Sequence, residues 1–403
     1  MRLSACVLAV AVLSPFAARA QTPPPGAPPA APPPEAAPPP AAVVVTPPPP
    51  PPAAAPAAPP AKTWKDLITI EGLVDTYYQW NFNATTSTTS PIGGPIAAVR
   101  SFDVNANTFT LNYAKVGIGV NADPVGLRLD LGYGATGLIV NGANPSDASS
   151  DPFLVQQAYA TIAPVTNLTL DFGKFVTTAG AEVIEANKNW LYSRSILFFN
   201  IPLLHTGVRA TYKISDALTL QGSVVNGWNG VGIAKDITGA KTYGVSANIT
   251  VPGVGTNIIA TGYFGKGEAF ISDPTTGAVA ASTDTRLLAD LVVAQTVGPL
   301  GLNLNFDYVT DKNAGIDGFT GVAIMGHYSI SDKLSLSARF EYARNGDPAH
   351  IKLIEGTVGL GVPLGGRFEF RPEFRIDNAS QPDFNLGKDK TQETATAAFL
   401  AWF

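Results

Sequence analysis

Residues 366–378 read Gly-Arg-Phe-Glu-Phe-Arg-Pro-Glu-Phe-Arg-Ile-Asp-Asn, and this stretch decides the fold. Its apolar residues fall on even positions from Phe368 to Ile376, and its charged residues fall on odd positions from Arg367 to Asp377. Because side chains alternate across a β-strand with a period of two, one face of this strand is apolar and the other is charged. The two faces therefore require two different environments.

The same alternation recurs from Lys62 to Phe403, about sixteen times and mostly in runs of roughly 9 to 13 residues. A soluble β-sandwich could accommodate one such strand, but these runs are longer than the usual soluble strand. Their length is close to that of a tilted strand that crosses a bilayer. The pattern predicts an all-β fold, namely a transmembrane antiparallel β-barrel of about 16 strands with lipid outside and water inside.

The connections between the predicted strands alternate in length. The strands lie near residues 68–80, 108–120, 126–134, 153–163, 167–174, 203–214, 217–228, 242–251, 255–265, 284–297, 300–310, 318–330, 333–344, 350–362, 366–377 and 391–403. Tight turns rich in Pro, Gly, Ser, Asn or Asp occupy residues 123–126, 164–167, 215–216, 252–255, 298–299, 331–332 and 363–366. Mostly longer connections occupy residues 81–107, 135–152, 175–202, 229–241, 266–283, 311–317, 345–349 and 378–390. A barrel with periplasmic turns and outward-facing loops predicts this alternation.

The first 20 residues have the pattern of a secretory signal peptide. Arg2 precedes an apolar run that ends at Phe16, and Ala18-Arg19-Ala20 supplies a small-x-small cleavage site. Residues 1–20 are therefore predicted to be removed on export, and Cys6, the only cysteine, leaves with them. The mature chain can then form no disulfide, and a hydrogen-bonded ring of strands is one other means of closing the fold.

Residues 21–61 form a Pro/Ala-rich extension with 20 prolines among 41 residues. Such a composition cannot build a packed core and favours polyproline II, so we expect a disordered, semi-rigid linker in the periplasm. Two interpretations stay open: the extension is an inert tail, or it is a tether that reaches the cell wall. The predicted organisation is a signal peptide over 1–20, a linker over 21–61 and an outer-membrane barrel over 62–403.

The end of the chain and its charge agree with an outer-membrane barrel. Phe399, Ala401 and Phe403 share one face of the last strand, and a terminal phenylalanine resembles the C-terminal signature of bacterial outer-membrane barrels. From Lys62 onward the chain has 24 basic and 30 acidic residues. This acidic balance argues against a nucleic-acid partner, which asks for clustered basic surface.

The connection 175–202 is long, yet it contains apolar residues such as Val183, Trp190 and Phe198. A connection of this length with its own apolar residues is usually folded against something. Inside a barrel, that surface can be the inner wall. We therefore predict an inward-folded loop that narrows the lumen.

Three motifs resemble the hallmark segment of the β-barrel porin type 2 family: Gly180 to Glu185, Tyr192 to Ser195, and His205 to Arg209. The resemblance covers nearly all of residues 63–403 and excludes the proline-rich extension. It implies a Gram-negative outer-membrane porin, and it brings no established catalytic or binding residues. The expected function is passive diffusion of small hydrophilic solutes or ions through a water-filled barrel.

Charged residues of the loop and of two strands are the candidates for the pore lumen and its constriction, because charge is costly against lipid and cheap in water. The candidates are Glu182, Glu185, Lys188, Arg194, His205, Arg209, Lys213, Arg367, Glu369, Arg371, Glu373 and Arg375. Acidic loop residues opposite inward basic residues would set up a transverse field that discriminates between solutes. The alternative is that Glu182, Glu185 and Arg194 pin the loop to the wall by ion pairs.

The sequence gives no sign of catalysis or of a bound cofactor. Of its three histidines, His205, His327 and His350, His327 has no partner at zinc-like spacing and His205 has no evident serine across a strand, so we expect no metal, no cofactor and no enzymatic activity. The expected partners are outer-membrane lipid, small hydrophilic solutes and, by analogy with barrels of this size, further copies in a homotrimer. The alternative to a porin is an envelope structural protein whose barrel anchors and whose proline-rich arm tethers the outer membrane to the cell wall.

Overall fold

The computed structural model describes residues 67–83, 100–121, 124–141, 151–229, 241–266, 270–272, 279–281, 285–311, 316–344 and 350–403. All of them belong to one compact unit, Pro60–Phe403. The predicted signal peptide over 1–20 and the predicted linker over 21–61 lie outside the described residues.

Strands make up most of the described chain. They are β1 (Ile68–Asn81), β2 (Phe109–Asn121), β3 (Val125–Tyr133), β4 (Phe153–Val165), β5 (Leu168–Val176), β6 (Leu204–Lys213), β7 (Leu218–Asn226), β8 (Lys241–Val251), β9 (Thr256–Lys266), β10 (Phe270–Ser272), β11 (Val279–Ala281), β12 (Thr285–Val297), β13 (Leu300–Asp311), β14 (Ile316–Ser331), β15 (Leu334–Arg344), β16 (Lys352–Pro363), β17 (Phe368–Ala379) and β18 (Thr391–Trp402). Short helices occupy Ala135–Val140, Ile196–Asn200 and Phe384–Gly387, with a 3₁₀ turn at Ala186–Lys188.

Sixteen of these strands form one closed antiparallel barrel, which confirms the predicted fold. Barrel strands that follow one another in the chain pair with each other, β9 pairs with β12 past the small hairpin β10–β11, and β1 pairs with β18 to close the ring. In the closing pair, Leu73 lies opposite Trp402 and Asn81 lies opposite Thr394. Closure satisfies the hydrogen bonds of both edge strands, which a barrel in hydrocarbon requires.

The small hairpin and the short helices were not predicted. Strands β10 and β11 have 3 residues each, and the helix Ile196–Asn200 has 5. Segments this short leave no readable periodicity in the sequence, because a hydrophobic pattern needs several repeats to be recognised.

The alternation seen in residues 366–378 is realised as two faces of β17. On the outward face, Phe368 is 58% exposed, and Phe374 and Ile376 are also exposed. On the inward face, Arg375 is only 1% exposed and Asp377 is equally buried. In the membrane the outward side chains contact lipid, while the charged ones are matched inside the barrel.

The described tight turns between barrel strands lie at one end of the barrel. The turn between β8 and β9 contains Gly253 and Gly255, with φ angles of 79° and 68°. Such left-handed backbone is open to glycine without steric cost, so the turn can reverse the chain within a few residues. At the same end, Ile68 at the start of β1 pairs with Val120 near the end of β2.

A search of the described helices for one long and apolar enough to cross a membrane finds none.

Gly207 of β6 provides a test of the strand packing. A Cβ atom added there would lie 2.2 Å from the carbonyl oxygen of Val224 and 2.7 Å from the Cα of Val225. Backbone cannot yield as a flexible side chain does, so we expect Gly207→Ala to lower the free energy of unfolding by about 1–3 kcal/mol. The measurement is urea unfolding of the barrel in detergent micelles. Gly222→Ala on β7 is the matched control, because nothing lies within 4 Å of its added Cβ; equal midpoints for the two variants would contradict the packing argument.

Candidate functional site: the inward loop and the passage beside it

The connection between β5 and β6, residues 177–203, folds into the barrel, and we call it the inward loop. Its apolar side chains Ile184, Ile196 and Leu197 are buried in the core cluster. Leu197 approaches β14 so closely that a Cβ on Gly321 would lie 2.6 Å from its Cδ1. The apolar residues of the loop therefore pack against the inner wall.

The loop is shaped by its own polar side chains as well. Ser195 precedes the helix Ile196–Asn200, and its Oγ accepts a hydrogen bond from the Phe198 N–H at 2.9 Å. The Ser195 N–H donates to Glu182 Oε2 at 2.8 Å. These bonds satisfy backbone groups that the barrel interior would otherwise leave without partners.

Two wall carboxylates accept hydrogen bonds from the backbone of the loop. Glu373 of β17 accepts from the Tyr192 N–H at 2.7 Å and from the Ser193 N–H at 3.2 Å. Glu341 of β15 accepts from the Ile196 N–H at 2.9 Å. Both carboxyl groups thus satisfy backbone N–H groups of the loop and fix it to the wall.

Three wall guanidinium groups complete the attachment by donating to loop carbonyl oxygens. Arg339 Nη1 donates to Ser193 O at 2.8 Å, and Arg375 Nη1 donates to Arg194 O at 2.7 Å. Arg371 Nη1 donates to Ala186 O at 2.8 Å. The charged face of β17 thus serves largely to hold the backbone of the loop.

The loop acids Glu182 and Glu185 are both paired with wall cations. Arg339 Nη1 lies 3.0 Å from Glu182 Oε1. Glu185 is ion-paired with Lys115 of β2, whose Nζ also lies 3.0 Å from Asp130 Oδ2. Burial on its own would raise the pKa of Glu185, but the charge and hydrogen bond of Lys115 outweigh burial and hold that pKa below its ordinary value.

Arg194 differs from the other two residues of the pinning hypothesis. In the described structure its guanidinium donates to carbonyl oxygens of the loop itself, those of Val183 at 3.0 Å and of Ile184 at 2.5 Å. It braces the loop internally and forms no ion pair with the wall among the described residues. Lys188, in contrast, ends the 3₁₀ turn with its side chain exposed to the lumen.

The basic residues of β6 are spread along the barrel. His205 is fully buried and stacks on Tyr263, with ring centroids 4.6 Å apart. Arg209 Nη2 lies 2.8 Å from Asp171 Oδ2. The side chain of Lys213 is 53% exposed and pairs at 2.7 Å with Asp216 in the tight turn, so Lys213 lies outside the group of residues that contact the loop.

The charged residues of β17 also differ in their position along the barrel. Arg367 is exposed beside the tight turn that precedes the strand. Arg371 Nε lies 2.8 Å from Glu369 Oε1, and Arg375 Nη2 lies 2.7 Å from Asp377 Oδ1. Only the residues from Arg371 onward reach the inward loop.

A cavity of about 530 Å³ lies beside the loop, and we call it the passage. On one side it is lined by the loop and by charged residues of β2 and β3. On the other side it is lined by residues of β4 and β6 to β9. The residues of this second side are Gln157, Thr211, Thr219, Gln221, Ser246, Asn248 and Ile259.

Sequence reasoning missed this second side of the passage. Its neutral polar residues follow the same alternation as every other strand, and nothing in the pattern marks them out. It also missed Tyr192, whose OH donates to Asp75 Oδ1 at 2.9 Å and accepts from Asn112 Nδ2 at 3.0 Å. The one signal in the sequence for this contact was that Tyr192 begins the motif Tyr192 to Ser195.

A family model described as "Putative beta-barrel porin-2, OmpL-like" matches residues 67–403. Among solved structures, a loop L8 deletion mutant of OmpT, an outer membrane protein of Vibrio cholerae, is similar with a TM-score of 0.56 and 13% identity, over 83% of this chain and 99% of that chain. The trimer form of the same OmpT is similar with a TM-score of 0.53 and 12% identity, over 83% of this chain and 99% of that chain. The outer membrane channel DcaP of Acinetobacter baumannii is similar with a TM-score of 0.55 and 12% identity, over 83% of this chain and 97% of that chain. A search of curated proteins finds no match.

The Tyr192 hydroxyl provides a test of the loop attachment. Tyr192→Phe removes a buried hydroxyl and leaves Asp75 and Asn112 each short of one partner, at a cost of about 1–3 kcal/mol. We expect faster amide hydrogen exchange across residues 183–201 without loss of the folded barrel. Tyr212→Phe is the control, because Tyr212 lies on the exposed outer face of β6. If exchange in the loop is the same for both variants, the Tyr192 contact does not hold the loop.

Proposed function

The chain belongs to the "Putative beta-barrel porin-2, OmpL-like" family over residues 67–403, and from this membership we propose a route for solutes through its pore. The protein is an outer-membrane porin, a channel for small hydrophilic solutes or ions. The solutes cross beside the inward loop, through the passage that the loop lines together with strands β4 and β6 to β9. The observation that carries this route is the open cavity of about 530 Å³ with polar residues on both sides.

The distribution of loop contacts supports this route. The loop is attached to β2 through Lys115 and Glu185, and to β15 and β17 through Arg339, Glu341 and Glu373. These contacts hold the middle of the loop against one side of the lumen, whereas its start contacts β9, where Thr261 Oγ1 donates to the Thr178 carbonyl oxygen at 3.3 Å. The passage lies beside that start, along β4 and β6 to β9.

Glu182 and Glu185 act in this proposal as pins for the loop. Each carboxylate is paired with a wall cation, Arg339 or Lys115, and those cations lie on the side of the lumen to which the loop is attached. A transverse field would need the acids to face basic residues across open water. The ion pairs therefore favour the pinning role over the field.

We propose that the protein is a channel without enzymatic activity and without a cofactor. His327 Nδ1 lies 2.9 Å from Ser337 Oγ, a pairing that serine enzymes also use. Ser337 is buried, however, and Trp190 stacks on the imidazole at 5.5 Å. A nucleophile has to be reached by its substrate, so this pair is better explained as packing below the loop.

We also propose a homotrimer whose N-terminal extension lies in the periplasm. The trimer form of Vibrio cholerae OmpT supports the oligomer by analogy of fold. The start of β1 lies at the end of the barrel that bears the tight turns, since Ile68 pairs with Val120. Tight turns face the periplasm in bacterial barrels, so the segment before β1 leaves on that side. There it could serve as the tether to the cell wall.

The pore itself is tested by reconstitution into a planar bilayer. We expect stepwise conductance from the purified protein, and the same conductance after deletion of residues 21–61, because the extension contributes nothing to the lumen in this proposal. A barrel that inserts but never conducts would contradict the porin and favour an envelope structural protein. Weaker attachment of the envelope to the cell wall after the deletion would support the tether, and unchanged attachment would contradict it.

The pins are tested by Glu182→Gln combined with Glu185→Gln. Breaking a buried ion pair costs about 3–5 kcal/mol, so we expect the loop to detach part of the time and the single-channel conductance to rise and become noisier. Asp216→Asn with Asp332→Asn removes two charges from exposed tight turns and is the matched control. A changed reversal potential at unchanged conductance would instead support the transverse field.

A further inference from the structure

The charged side of the passage contains a compact cluster of six ionisable groups. Three are cations, Lys115, Arg128 and Lys188, and all of them line the passage. Three are carboxylates, those of Glu71, Asp130 and Glu185. Lys115 contacts Asp130 and Glu185, and Arg128 contacts Glu71 at 2.8 Å and Asp130 at 2.7 Å.

Lys188 brings this cluster to zero net charge. Without it, Lys115 and Arg128 would face three carboxylates, and the passage would carry one uncompensated negative charge. Lys188 lies within electrostatic reach of both Glu71 and Glu185. The one remaining charged residue of the lining, Glu182, is paired at 3.0 Å with Arg339, a buried cation that also contacts Glu341 and Glu355 outside the lining. The charges of the cluster are therefore balanced, and the remaining acid of the described lining is paired.

The opposite side of the passage carries hydrogen-bonding groups without charge. Thr211, Gln221, Ser246 and Thr261 lie directly opposite one another in register, as a continuous row across β6, β7, β8 and β9. Gln221 Nε2 donates to Thr211 Oγ1 at 3.1 Å, and the Ser246 and Thr261 hydroxyls lie 3.0 Å apart. We call these four residues the neutral row. The first three line the passage, whereas Thr261 is buried and donates to the Thr178 carbonyl oxygen of the inward loop at 3.3 Å.

Apolar side chains lie next to both polar sides. Val183 of the loop lines the passage, and it is 41% exposed. Ile259 of β9 lines the passage from the wall. A passing molecule thus meets amides and hydroxyls at one edge and aliphatic surface at another. Sugars and polyols present the same two features, hydroxyl edges and C–H faces.

We propose that the passage is indifferent to the sign of charge and that its solutes are small neutral polyhydroxylated molecules, such as sugars and polyols. This inference rests on the proposed porin function and adds its solute class. An excess charge attracts ions of one sign and repels the other, whereas a balanced lining gives neither advantage. The neutral row replaces part of the hydration shell of a hydroxylated solute with hydrogen bonds of its own.

Charge indifference is tested by the reversal potential in a KCl gradient. The wild-type permeability ratio of K⁺ to Cl⁻ should lie within about twofold of that in free solution, because the cluster is balanced. Lys188→Gln should shift the ratio toward K⁺ by about twofold, the effect of one unit charge some 8 Å away in screened water. Glu71→Gln should shift it toward Cl⁻ by a similar factor, and the Glu71 side chain is 47% exposed, so its loss is tolerated.

The matched controls are Lys333→Gln for the lysine variant and Asp332→Asn for the glutamate variant, because both residues are exposed in the tight turn between β14 and β15, two strands that do not line the passage. Both controls should leave the ratio unchanged. A strongly cation- or anion-selective wild type would overturn the inference, as would Lys188→Gln with an unchanged ratio. A wild type without any conductance would instead overturn the porin function on which the inference rests.

The solute class is tested by swelling of liposomes that contain the protein. Glucose and sorbitol are the neutral probes, and gluconate is a charged probe of similar size. Gln221→Leu with Ser246→Ala removes half of the neutral row and should slow entry of glucose and sorbitol about threefold, the low end of the value of a hydrogen bond, while KCl conductance stays the same. Gln295→Leu, on the outward parity of β12, is the control. Unchanged sugar entry, or faster entry of gluconate than of glucose in the wild type, would overturn the assignment.

Discussion

The pairing of β1 with β18 is the constraint on which the rest of the structure depends. In hydrocarbon, an unpaired strand edge would leave a row of amide and carbonyl groups without hydrogen bonds, at a cost of several kcal/mol for each group. Closing the ring removes that edge and fixes which face of every strand meets lipid. Each charged residue on the inward face must then be paired or hydrated within the lumen.

The inward loop supplies many of those partners. Glu341 and Glu373 accept its N–H groups, while Arg339 and Arg375 donate to its carbonyl oxygens. Irregular backbone is costly to bury because it lacks the internal hydrogen bonds of a helix or a sheet. The charged wall removes this cost, and the loop in turn satisfies charges that would be unstable alone in the interior. The charged wall and the loop therefore satisfy each other's polar groups.

The sequence predicted the barrel well because the signal is local and repeated. Every strand shows a period of two, so each one could be read without knowledge of its neighbours, and the number of barrel strands follows from the count. The inward course of the loop could be read from apolar residues in a long connection. The partners of its acids could not, since Glu185 and Lys115 are 70 residues apart in the chain and Glu182 and Arg339 are 157 apart.

The roles of single residues followed the same division. Lys213 shares its parity with Arg209, but parity tells nothing of depth along the barrel, and Lys213 lies at the turn. Arg194 was grouped with the wall ion pairs, whereas its donors reach carbonyl oxygens of its own loop. The alternation of residues specifies which face of a strand a residue occupies. Only the folded loop determines which residues of that face contact it.

The double attachment of the loop has a mechanical consequence. It joins β2 to β15, which lie five strand positions apart around the ring, through Glu185 with Lys115 at one end and Glu182 with Arg339 at the other. An empty cylinder flattens readily, because neighbouring strands can hinge about the hydrogen bonds between them. A link between these two parts of the wall opposes that deformation. The ionic contacts of the loop therefore resist part of the lateral pressure from the bilayer, so the interior of the barrel supports its wall.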